Sequence, residues 1–320
     1  MPFKNESAHL KETIESIQNQ TYSNFEVIAI DDHSSDNSYE FLEEVSKSDP
    51  RFSVYKNTGT GIIEALKTAS QHILGDYVTR QDADDLMPST KLENLLELLK
   101  NAGRNHIATG RVEYFSHKDM GNGFLKYENW LNSLCENDNH YSQIYKECVL
   151  VSSNWLLYIE DFNKLGGYQD AIYPEDYHFV FKLFTHDFKI VSSKNVTHLW
   201  RDHEHRASRN LEQYRDQKFF PLKVQFFKEI VGVEKICLWG AGPTGKKLAK
   251  ELIKNEIPFI WITNNEKKIG KNIYGVKVQH FSDLEHLLDH HLIISVTQRD
   301  AIASIFEYLE SIHFKNHYEF

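Results

Sequence analysis

Short apolar runs alternate with amphipathic segments over the first two thirds of the chain. Phe25 to Ile30 is nearly continuous apolar sequence and predicts a buried strand of a parallel sheet. Asp76 to Thr79, with β-branched and aromatic residues, predicts a second buried strand. Phe52 to Tyr55, His106 to Tyr114, Val149 to Val151 and Lys189 to Val191 read as further strands. Between them, His9 to Gln18, Ser38 to Ser46, Ile62 to Ile73 and Lys91 to Lys100 carry helical periodicity. A helix opens near Pro174 and runs through Phe184, and Leu211 to Glu229 reads as one long helix. Ser116 to Asn139 is polar, with scattered aromatics and no clear period. Strands alternating with helices predict a doubly wound α/β domain whose ligands sit at the carboxyl ends of its strands.

Two acidic clusters fall at such ends: Asp31-Asp32, and Asp82-Ala83-Asp84-Asp85. Like charge gathered at a strand end is costly unless a cation sits there. Mg²⁺ or Mn²⁺ holding a phosphate-bearing substrate suits carboxylate ligands. The alternative is a solvated acidic turn capping the helix that follows. Glu175 and Asp176 likewise suit either the dipole of their helix or a catalytic role. Trp200 to His203 and Arg206 to Ser208 read as a basic, polar loop.

The 320 residues fit two domains or one large one. A net charge of −10 argues against general nucleic-acid binding. No apolar run is long enough for a bilayer, and the polar start argues against a signal peptide. Cys135, Cys148 and Cys237 match no zinc or disulfide spacing and read as reduced, buried thiols of a cytoplasmic protein.

Taken together, the motifs over residues 1 to about 210 resemble a family 2 glycosyltransferase of the GT-A fold. The resemblance rests on their order: Pro2 to Glu6, Ser16 to Tyr22, Phe25 to Val27, Asp31 to Asp36, Ala65 to Lys67, Gly75 to Val78, Asp82 to Asp85, Gly166 to Tyr168 and Glu175-Asp176. It implies that Asp32 bonds the nucleotide base, with Pro2 and Asn5 lining that pocket. Asp82 and Asp84 match the D-x-D, with Asp84 as the metal ligand, and Asp176 matches the general base of inverting members. Arg201, His203 and Ser208 resemble the late loop over the diphosphate, with His203 able to reach the metal. The implied reaction moves a sugar from a nucleotide-diphosphate sugar, a UDP-sugar by default, to a hydroxyl of a glycan or lipid-linked acceptor. The setting it suggests is bacterial surface polysaccharide synthesis, in the cytoplasm and at the inner membrane face. Members carry a full hydrophobic strand before the Pro2 to Asn5 equivalent, whereas this chain begins at that strand's last residues. They often have Asn where Lys67 stands, which reads here as a solvated helix position.

A second pattern begins near residue 231. Lys235 to Trp239 predicts a strand, Gly240-Ala241-Gly242-Pro243-Thr244-Gly245 a glycine fingerprint, and Pro243 to Lys254 a helix. Phe259 to Ile262 and Leu292 to Val296 predict two more strands of a small Rossmann-like α/β domain over 231–320, after a GT-A domain over 1–230. Gly240, Gly242 and Gly245 suit either phosphate binding at the helix start or a tight turn alone. Thr263-Asn264-Asn265 stands where a dinucleotide site wants an acid. His280, His286, His290 and His291 read as surface residues ahead of a metal site. Two rivals remain: a non-catalytic nucleotide-binding or scaffold protein, and a nucleotide-sugar oxidoreductase working through the second domain.

Overall fold

The structure, a computed structural model, describes residues 1–116, 122–204, 206 and 219–320. The chain divides into two compact units, one of residues 1–141 and 148–210 and one of residues 142–147 and 211–320. The boundary therefore lies before 230/231. Helix Phe219–Ile230 and the detached segment 142–147 belong to the second unit, because their aromatic side chains pack there.

In the first unit the apolar run forms β2 (Val27–Asp31), flanked by β1 (Pro2–Phe3) and β3 (Phe52–Lys56), all parallel. Helices α1 (Leu10–Gln18) and α2 (Ser38–Ser48) cover this sheet. Leu10, Ile14 and Ile17, spaced for one helix face, join Phe3, Ala29, Leu42 and Phe52 in one core cluster. After α3 (Ile62–Ser70) comes β4 (Tyr77–Val78), shorter than the run that predicted it. Helix α4 (Lys91–Ala102) leads to β5 (His106–Phe115). The unassigned polar stretch contains α5 (Asn122–Asn137). Val149 to Val151 is not a strand; β6 (Trp155–Tyr158) takes that place in the sheet. Helices α6 (Ile159–Lys164) and α7 (Glu175–Thr185) precede β7 (Lys189–Arg201), far longer than its predicted start. The order is β4-β6-β5-β7, with only β6 antiparallel.

Strand β2 bonds β3 through alternate residues: Val27 N–H donates to Arg51 O, and Asp31 O accepts from Asn57 N–H. Its other residues face β1. Ile30 N–H donates to Met1 O, and the Met1 amine donates to Ile28 O at 2.8 Å. Beyond Met1 the ladder gives way to a cavity of about 530 Å³, bordered by Val27, Ile28, Tyr77 and Val78 and covered by Ile17, Leu66, Leu92 and Leu96. Burial, then Arg80, lowers the Met1 amine to about 5.

The second unit holds α8 (Phe219–Ile230), β8 (Ile236–Trp239), α9 (Pro243–Lys254), β9 (Phe259–Thr263), β10 (Asn272–Ile273), β11 (Val276–His280), β12 (His291–Ile294), α10 (Arg299–Ser311) and β13 (His317–Glu319). Its sheet order is β10-β11-β9-β8-β12-β13, with only β10 antiparallel. From β11 to β13 this is the Rossmann strand order, reversing beside β8. No helix among the described residues is long and apolar enough to cross a membrane.

Candidate active site

The turn after β4 is built from charge pairs that leave one carboxylate to face outward. Asp82 accepts from Arg80 Nε at 2.8 Å through Oδ1, and from the Ser152 and Ser153 hydroxyls through Oδ2. Burial pushes its carboxyl up, yet Arg80 and Ser152 outweigh burial and hold it below the ordinary value. Asp85 is 1% exposed and is bonded by Arg201 N–H at 2.8 Å and His198 Nε2 at 3.1 Å. Burial, then Asp84 and Asp82, raises it well above the carboxylate range. Lys91 lies beneath the turn, fully buried, donating to Ser153 O at 2.6 Å and Gln81 Oε1 at 3.3 Å. Burial lowers its ammonium to about 7. Gln81 in turn donates to the backbone carbonyls of Asp82 and Asp85.

Asp84 differs from its neighbours. Its Oδ2 lies 2.9 Å from His203 Nε2, and both side chains keep some exposure. Around this pair stand Glu6 and His9, at the start of α1. Glu6 O accepts from His9 N–H and Leu10 N–H, which fixes the two side chains one turn apart. Burial, then Asp84, Asp36, Asp85 and Asp82, raises Glu6 to about 8. Burial, then His203 and Arg201, lowers His9. Such crowding of acids against imidazoles fits a divalent cation. Asp84 and His203 supply an oxygen and a nitrogen at a separation two ligands of one ion can share.

Arg201 is not in the loop where the sequence predicted it. It closes β7, is 1% exposed, and donates through Nε to Asp84 O and through Nη2 to Glu12 Oε2 at 2.7 Å. Its guanidinium also covers the Phe115 ring. These bonds turn it inward, because a cation buried against the acidic turn offsets that turn's charge. Ser208 lies outside the described residues.

At the end of β2, Asp32 Oδ1 accepts from Asn57 Nδ2 at 2.7 Å and Gly61 N–H at 2.8 Å, while Oδ2 is 3.5 Å from Lys4 Nζ. Asn5 Oδ1 accepts from Ser35 N–H at 2.7 Å. Pro2 is paired with Ile30 in β1. Phe3 O accepts from Asp32 N–H, so strand pairing brings Pro2, Asn5 and Asp32 to one sheet end.

Glu175, the neighbour of Asp176 at the start of α7, is tied to the acidic turn through Arg80. The guanidinium that pairs with Asp82 also donates through Nη1 to the buried Glu175 at 2.9 Å, at the start of α7. Asp176 Oδ1 accepts from Tyr177 N–H. Burial, then Glu175, raises Asp176 to about 7. Arg80, Lys91, Ser152, Ser153 and His198 had no predicted role. Only Arg80, just past the apolar run and two residues before the motif, gave a signal: a buried Arg there demands an acid partner, though its distance in sequence hides which one.

In the second unit the glycine loop joins β8 to α9 as predicted. A Cβ on Gly245 would meet Gly240 O at 2.0 Å, so Gly245 is needed for packing. Trp261 Nε1 donates to Gly240 O, and Lys268 Nζ to Ala241 O. Burial pushes the Cys237 thiol up to about 12, which makes it a poor nucleophile for the oxidoreductase reading.

With this geometry in view, comparison with known proteins decides the family. The family described as "Glycosyl transferase family 2" matches residues 1–166. The chain belongs to that family. An uncharacterized glycosyltransferase of Haemophilus influenzae is 32% identical over 55% of this chain and 56% of its own length. Glycosyltransferase GlyA of Streptococcus pneumoniae is 28% identical over 45% of this chain and 19% of its own. The chain thus spans about half, or less, of the curated relatives it matches. Among solved structures, S. aureus TarS 1-349 in complex with UDP has a TM-score of 0.54 at 14% identity, covering 90% of this chain and 76% of that one. The Pyrobaculum calidifontis mannosyltransferase PcManGT, in complex with GDP-Man and Mn²⁺, has a TM-score of 0.53 at 19% identity, covering 78% and 66%. These likenesses show the fold, the GT-A type of doubly wound α/β domain.

Proposed function

We propose that this family 2 member is an inverting, metal-dependent glycosyltransferase. It takes a nucleotide-diphosphate sugar, a UDP-sugar by default, and transfers the sugar to a hydroxyl of a glycan or lipid-linked acceptor. The observation that carries the reading is the division of labour in the acidic turn. Asp82 and Asp85 are used by protein partners, while Asp84 and His203 are left to hold a cation. A divalent ion bound there supplies positive charge beside the departing diphosphate. Asp32, Asn5 and Pro2 form the base-binding end. Arg201 works from inside, holding the Asp84 carbonyl and hence the direction of its carboxylate. Asp176 accepts the acceptor's hydroxyl proton as attack proceeds, and a base with a pKa near 7 suits that task. Direct attack by the acceptor hydroxyl, assisted by one base and requiring no second nucleophilic carboxylate, gives inversion at the anomeric carbon. The two structural neighbours, solved with UDP and with GDP-Man and Mn²⁺, support this donor class. The setting we propose is bacterial surface polysaccharide synthesis at the inner face of the plasma membrane.

The test is a panel of UDP- and GDP-sugars with Mn²⁺, read by nucleotide release and by the anomeric configuration of the product. One donor is expected to turn over with inversion, and Asp176→Asn to lower kcat by about 10²–10⁴ with little change in donor affinity. A retained anomeric configuration, or full activity in Asp176→Asn, would remove the base from the scheme.

A further inference from the structure

The cation reading above uses Asp84 and His203, but the same corner holds donors it leaves idle. Glu6, His9 and His203 each offer a ligand atom, and the three lie within 4.8 Å of one another. Donors around one divalent ion stand about 3–4 Å apart, so small side-chain rotations would bring them into one shell. Neither the Glu6 carboxylate nor the His9 ring is bonded to another side chain among the described residues. The His203 ring stacks obliquely on His9, with centroids 4.5 Å apart, and its Nδ1 is buried without a hydrogen-bond partner. Buried polar atoms are rarely left so, and a bound ion would satisfy this one. The three residues come from distant parts of the sequence: Glu6 and His9 from the start of α1, and His203 from just beyond β7.

We infer that Glu6 and His9 join His203, beside Asp84, in a protein-only site for a divalent transition-metal ion, filled before any nucleotide arrives. One carboxylate and two imidazoles suit Mn²⁺, Fe²⁺ or Zn²⁺, whereas Mg²⁺ prefers an all-oxygen shell. The site would therefore choose Mn²⁺ over Mg²⁺. The inference rests on the transferase reading only for what the ion then does, not for its binding.

The probe is Mn²⁺ alone, titrated calorimetrically into the nucleotide-free full chain. One ion per chain is expected, with Mg²⁺ binding at least tenfold weaker. Glu6→Gln and His9→Ala should each weaken Mn²⁺ at least tenfold, while a site made only of Asp84 and a diphosphate would ignore both changes. Because both changes lie at the start of α1, the wild type supplies a second readout. Pulsed electron paramagnetic resonance of bound Mn²⁺ should show coupling to imidazole ¹⁴N. Absence of that coupling, or affinities within twofold of wild type in both variants, overturns the inference. Mn²⁺ binding only when UDP or GDP is present also overturns it and leaves the transferase reading standing. Mn²⁺ binding with no nucleotide binding at all supports the site and removes the transferase reading.

Discussion

Arg80 joins the acidic turn to the start of α7, since one guanidinium pairs with both Asp82 and Glu175. Removing it leaves buried carboxylates without their cation. Arg80→Met is expected to lose about 3–5 kcal/mol in urea unfolding, and a loss under 1 kcal/mol would mean the pairs are dispensable. Asp176 carries a pH signature. A base must be deprotonated, so kcat/KM should rise about tenfold per pH unit below about 7 and level off above it. A flat profile from pH 5.5 to 7 would deny Asp176 that role. The linkage has a definite sign. Asp176 holds its proton more tightly folded, at about 7, than unfolded, at about 3.9. The wild type therefore loses stability from this group as pH rises from about 4 through about 7. Asp176→Asn, which lacks the proton, should gain on the wild type across that window by up to about 4 kcal/mol. The D-x-D and the Glu175-Asp176 pair were legible in the sequence because their spacing is local. The guanidinium between them was not, because the contact spans 95 residues.

At the scale of elements, β2 was plain because a strand buried on both faces shows as an apolar run. Strand β7 was seen only at its start. Its polar middle is accommodated by a register shift in the pairing with β5 around Arg111, where Gly110 gives Thr197 room that a Cβ would close to 2.5 Å. Helix α5 did carry a signal: Leu131, Leu134 and Cys135 are buried at helical spacing, but polar residues around them hide the period. The cavity beside β2 is an element-sized gap. By the alternation of β2, Ile28 N–H faces it, and extended chain entering there would meet a ready ladder edge. An extension of four β-branched apolar residues fused to Met1 should raise the thermal midpoint by about 5 °C or more, and a Gly-Ser extension should not. Equal midpoints for the two would mean the gap does not accept a strand. In the second unit, Tyr145 stacks on Phe320 and meets Phe227 and Tyr318 edge-on. Tyr145→Ala should cost about 3–5 kcal/mol, read by denaturant unfolding.

For the whole molecule, the alternation of apolar and amphipathic segments pointed to the α/β class, and the second glycine-loop pattern to a two-part chain. The sequence did not foretell that residues 142–147 fold with the second unit, because segment exchange leaves no periodic trace. The central claim is that the first unit binds a nucleotide diphosphate through an ion held at Asp84. Calorimetric titration of UDP and GDP, with and without Mn²⁺, into wild type and Asp84→Ala tests it most directly. One nucleotide should bind the wild type in a Mn²⁺-dependent way, at least tenfold tighter than with EDTA, and Asp84→Ala should lose that gain. No binding of either nucleotide to well-folded wild type, or equal Mn²⁺-dependent binding to Asp84→Ala, would contradict it.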